Sequence, residues 1–119
     1  MNESLLDTDI FSEILKGIDP KVCSNAMTYR QSHGILTISV ITVMEIIQGL
    51  RKVVGVSTQR IMAMRTSINL EKILSFDPSA ADLAGEIAGD LDRVGHPIGR
   101  CDPMIAAVAL THGLVPDPR

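Results

Sequence analysis

The feature that most constrains this chain is its punctuation. Short apolar runs alternate with longer segments of helical spacing, and most of the longer segments open on Asp or Ser and close on Gly. "SLLD" reads as a buried strand ending near Asp7. "TDIFSEILKG" follows, with Ile10, Phe11, Ile14 and Leu15 on a helical repeat and Gly17 as the stop. Asp19-Pro20 then opens a helix, a capping residue before Pro at the first helical position, and His33-Gly34 closes it. "ILTIS" is a β-branched second strand, and a helix runs from Val40 to about Val54. Ser57 caps a further helix, and "ILSFD" gives a third strand ending at Asp77-Pro78. "SAADLAGEIAGDLDRVG" is a helix stopping at Gly95, and "DPMIAAVALTHG" is the last, opened by Asp-Pro and closed by His-Gly. Strands spaced by helices are expected to pair in parallel, so the fold class is α/β with a short parallel sheet.

A chain of 119 residues is one domain in size, large enough to bury a core without disulfides. Hydrophobic residues make up 45% and aromatic residues only 3%, so that core must be aliphatic. The formal net charge of −3 argues against a dedicated duplex-DNA binder, although a local basic patch and bound metal ions could still hold nucleic acid. Cys23 and Cys101 are too few and too far apart for a disulfide framework, which fits a reduced cytoplasmic setting. No basic leader precedes an apolar stretch, and no apolar run approaches the ~20 residues of a membrane span.

In parallel α/β folds the working groups gather at the carboxyl ends of the strands, where Asp7 and Asp9 are expected. Glu45 interrupts the apolar helix "SVITVMEIIQGL", and Asp102 opens the final helix. Each also has a purely structural explanation. Asp9 suits the first turn of a helix, where a carboxylate favours the dipole and can cap. Glu45 falls in a polar stripe with Thr42, Gln48 and Lys52. Asp102 repeats the Asp-Pro pattern of Asp19 and Asp77. Asp7 is the hardest to explain structurally, because an unpaired charge at the end of a buried strand is costly. Clustered carboxylates are tolerated mainly around a hard cation, and oxygen-only ligands point to Mg²⁺ or Mn²⁺ and to phosphoryl chemistry. His33 and His112 precede glycines at helix ends, where interaction with the dipole accounts for them, and His96 lies in a loop.

The blocks "LLDTDIFSEIL", "ISVITVMEIIQGL" and "GHPIGRCDPMIAAVALTHGL" resemble, in order and spacing, the signature blocks of PIN-domain proteins, with the VapC-type toxins of bacterial type II toxin–antitoxin pairs the best match. The resemblance runs from Leu5 to Leu114. It implies a three-layer α/β/α sandwich and a metal-dependent endoribonuclease. By likeness, Asp7, Glu45 and Asp102 are the metal-holding and catalytic acids, with Thr8 and Asp9 in support. The same likeness implies a homodimer and a small antitoxin whose C-terminal segment lies across the active groove. Arg51, Lys52, Arg60 and Arg65 cluster near one helix–helix turn and could contact RNA phosphates, or could equally be an ordinary solvated face.

One departure from the pattern is plain. After "THGL" the family continues into a further strand and a turn that supplies another Asp or Asn, whereas here the chain reads "VPDPR". Two prolines in five residues suit no central strand, so the expectation is a C-terminally incomplete domain over 1–119 with its last strand missing. Asp117 is not expected to replace the absent ligand, and the metal site keeps three carboxylates. The alternative to an active nuclease is a catalytically impaired PIN-like module that dimerises and binds an antitoxin peptide.

Overall fold

A computed structural model describes residues 3–95 and 101–116 of the chain. His96 and Asp117, both considered above, lie outside the described residues. Strand β1 (Ser4–Leu5) leads into helix α1 (Thr8–Lys16) and helix α2 (Pro20–His33). Strand β2 (Thr37–Ser39) runs directly into α3 (Val40–Arg51), and α4 (Thr58–Asn69) leads to β3 (Lys72–Leu74). Helices α5 (Pro78–Arg93) and α6 (Cys101–Thr111) follow, and β4 (Val115–Pro116) ends the order.

The anticipated start and stop residues do their work. Asp19, Ser57 and Asp77 each accept hydrogen bonds from first-turn N–H groups of α2, α4 and α5. Gly17 closes α1 at φ 66°, a left-handed conformation that a side chain would resist. Gly113 does the same after α6 at φ 69°, and the next N–H, from Leu114, donates back to Ala109 C=O at 2.8 Å. Two boundaries shift from expectation. Helix α3 ends at Arg51 rather than near Val54, and β3 covers Lys72–Leu74, earlier than "ILSFD" suggests.

Strand β1 pairs in parallel with β4, and β2 with β3. The two ladders are separate, and a bond from the Leu6 N–H to Thr37 C=O at 3.0 Å brings β1 beside β2. The expectation that the last strand is missing is therefore corrected. Val115 and Pro116 do pair with β1, and the pairing is tolerated because Pro116, which has no N–H to donate, sits on a two-residue strand that pairs on one side only among the described residues.

Alternation along the strands divides the core between two faces. Leu5 and Leu74 pack on one side with Ala80, Ala84, Ile105 and Val108 from α5 and α6. Leu6, Leu36 and Ile38 pack on the other with Phe11, Tyr29, Ile46 and Ile68. Helices thus cover both faces of a short parallel sheet, the three-layer arrangement anticipated. Two polar ties hold the frame. The Tyr29 hydroxyl accepts from Ser4 N–H and donates to Ser4 C=O, both at 3.2 Å, anchoring β1 to α2. Glu71, buried at 5% side-chain exposure, takes two bonds from the Arg30 guanidinium and a third from Leu36 N–H.

Candidate active site

Because β1 and β2 are neighbours running the same way, the helices that follow them start side by side. Asp7 is the N-cap of α1: its backbone is extended (φ −76°, ψ 169°) and its Oδ1 accepts from Ile10 N–H at 2.8 Å. The capping role expected for Asp9 thus falls to Asp7, since the strand stops at Leu5 and the chain has already turned outward. Asp9 is exposed in the first turn, where its charge complements the positive helix end. Asp7 is half-buried, and Oδ2 has no hydrogen bond among the described residues.

Thr8 links the two helix starts. Its Oγ1 donates to Glu45 Oε1 at 2.5 Å and stands 3.0 Å from Thr42 Oγ1. Asp7 precedes Thr8 in the chain, so the start of α1 that carries Asp7 meets α3 at Glu45 through the Thr8 hydroxyl. The polar stripe of α3 exists, but it is not a solvated face. Thr42 is fully buried, Glu45 is half-buried, and only Gln48 and Lys52 are exposed. Thr42 is held in turn by its N–H, which donates to Ser39 Oγ, the N-cap of α3, at 3.2 Å. Sequence reasoning put Thr42 in the stripe and missed its contact with Thr8. The available signal was a Thr one turn before an acid in a helix otherwise apolar on that side.

Asp102 lies in the first turn of α6, exposed, one turn before Ile105. Ile105 shares a core cluster with Leu5 and with Ile41 at the start of α3. Among the described residues no three His, Cys, Asp or Glu side chains form a group that could hold a metal. None of Asp7, Asp9, Glu45 and Asp102 has a Lys or Arg partner among the described residues; the ion pairs there are Arg30–Glu71, Lys72–Glu3 and Arg93–Asp90. The donors at the strand ends are therefore carboxylate and hydroxyl oxygens without neutralising cations. That donor chemistry fits a hard divalent ion held by Asp7 and Glu45.

Arg51 ends α3, Lys52 follows it, and Arg60 and Arg65 lie on α4. All four are exposed and outside the ion pairs, so their charge is available to a polyanion. The described histidines stand at helix ends, His33 closing α2 and His112 following α6. His112 Nδ1 lies 2.8 Å from Val108 C=O, and the His33 ring packs 4.5 Å from Tyr29.

Residues 4–115 match the model of the PIN domain family. The tRNA(fMet)-specific endonuclease VapC of Shigella flexneri is 30% identical over 115 residues, covering 97% of this chain and 84% of that protein. The fold is similar to that of the DNA-bound VapBC from Salmonella typhimurium, at a TM-score of 0.74 and 30% identity over 96% of this chain and 83% of that one. It is also similar to VapBC2 from Rickettsia felis bound to a promoter DNA fragment, at a TM-score of 0.78 and 19% identity over 95% and 84%, a likeness of fold. With the family match spanning nearly the whole chain, the chain belongs to the PIN-domain family, among the VapC proteins.

Proposed function

We propose that this chain is a metal-dependent endoribonuclease of the VapC toxin type, a single domain over 1–119 that acts in the cytoplasm as a homodimer and is held in check by a cognate antitoxin. The observation that carries the reading is the bond from the Thr8 hydroxyl, next to Asp7 in the chain, to Glu45 Oε1, which ties the start of α1 to α3. The Shigella relative, named as a tRNA(fMet)-specific endonuclease, supports RNA as the substrate and makes initiator tRNA the first one to test. The VapBC complex from Salmonella supports the antitoxin partner. Among the described residues no helix is long and apolar enough to cross a membrane.

Asp7 and Glu45 would hold the ion, with Asp102 closing the site from α6. Bound there, Mg²⁺ or Mn²⁺ would neutralise charge on the attacked phosphate and ease loss of a proton from water. The chain's own contribution is orientation. The N-cap bond fixes the Asp7 carboxylate through Oδ1, and Thr8 fixes Glu45 through Oε1. Arg51, Lys52, Arg60 and Arg65 would take RNA phosphates without reading sequence.

The test incubates purified protein with initiator tRNA and with single-stranded RNA, in Mg²⁺ and in chelator. Cleavage at defined positions that chelator abolishes is the expected result. Intact RNA in both Mg²⁺ and Mn²⁺ would overturn the reading. The second reading is the impaired module that dimerises and captures an antitoxin peptide. Calorimetric titration with Mn²⁺ separates the two, because the impaired module takes up no ion.

A further inference from the structure

We propose that Thr42 is a positioning residue for Glu45, acting through Thr8; its catalytic consequence rests on the nuclease reading above. Thr8 has one hydroxyl hydrogen, and it is donated to Glu45 Oε1. The 3.0 Å contact between Thr8 Oγ1 and Thr42 Oγ1 must then use the hydrogen of Thr42. The chain is therefore directed: Thr42 donates to Thr8, and Thr8 donates to Glu45. Its origin is fully buried, so the Thr42 hydroxyl is shielded from solvent. The Thr42 backbone is fixed by the bond from its N–H to Ser39 Oγ at the strand end. The orientation of the acid on α3 is thereby referred to the end of β2 and the start of α1, the two elements that define the site.

Hydrogen bonds that end on a charged group are stronger than neutral ones, and each donor in such a series polarises the next. Replacing Thr42 with Val keeps shape and volume but removes the donor. Thr8 then loses the partner that aims its hydroxyl, and Glu45 loses a fixed rotamer without losing its charge. Thr42→Ser retains the donor and loses only a methyl group.

The experiment compares Thr42→Val, Thr42→Ser and Glu45→Gln in the full chain. For cleavage of initiator tRNA in Mg²⁺, Thr42→Val should lower kcat by about tenfold or more at little-changed KM, because misplacement of a reacting group acts on the transition state. Thr42→Ser should recover most of that loss. Independently, urea unfolding of Thr42→Val, Glu45→Gln and the double variant should give effects on the unfolding constant that fail to multiply, by roughly threefold or more. Wild-type kcat in Thr42→Val, no recovery in Thr42→Ser, or effects that simply multiply would each overturn the proposal. If the wild-type chain cleaves no RNA, the nuclease reading fails and the unfolding cycle alone decides whether Thr42 positions Glu45. If Thr42→Val does not fold, Thr8→Val, which cuts the same chain of bonds at its middle, takes its place in both measurements with the same expected results.

Discussion

Asp7 carries two tasks at once, and they can be separated by choice of substitution. Asn caps a helix about as well as Asp, so Asp7→Asn should leave the urea midpoint nearly unchanged. Asp7→Ala removes the acceptor for Ile10 N–H and should cost about 1 kcal/mol in the same measurement. A large loss of stability in Asp7→Asn would show that the second carboxylate oxygen is structural. This residue also shows what the sequence could convey. An acid at the end of an apolar run was visible, as was its distance along the chain from Glu45. Which of Asp7 and Asp9 caps α1 was not, because it depends on where the strand stops, and β1 is only two residues long. The Thr8–Thr42 contact was hidden for another reason. It joins residues 34 positions apart, and nothing local to either encodes the pairing.

At the level of elements, the helix limits were the most legible part, since Asp19, Ser57 and Asp77 signal their caps through chemistry that acts within three residues. The strands were less legible. Each is two or three residues long, so its identity comes from tertiary pairing more than from propensity. The ties that hold these short strands are accordingly side chains. Glu71→Ala would leave Leu36 N–H without its acceptor and Arg30 without its partner, at an expected cost of about 1–3 kcal/mol by urea unfolding. Glu71→Gln keeps an acceptor for Leu36 and should cost less. Equal losses in the two variants would mean that charge, not the bond to β2, is what matters. Tyr29→Phe removes both bonds to Ser4 and should cost about 1–2 kcal/mol.

For the whole molecule, the balance of charge and the location of the cations make a prediction about binding. The chain is net negative, yet Arg51, Lys52, Arg60 and Arg65 are exposed and unpaired with acids among the described residues. If they meet RNA phosphates, affinity should fall with salt, and each charge removed should reduce the log–log slope by about 0.7. Filter binding of a single-stranded RNA to the Arg51→Gln and Lys52→Gln double variant measures this, and an unchanged slope would place the RNA on another face.

The central claim is that Asp7 and Glu45 are the acids with which this PIN domain cuts RNA. The most direct measurement is single-turnover cleavage of initiator tRNA in Mg²⁺ by the wild-type chain, Asp7→Asn and Glu45→Gln, each first shown to be folded by its urea midpoint. The account predicts cleavage by the wild type and loss of at least about 100-fold in both variants, as expected when an ion-holding carboxylate is removed. Cleavage by either folded variant at the wild-type rate would contradict it.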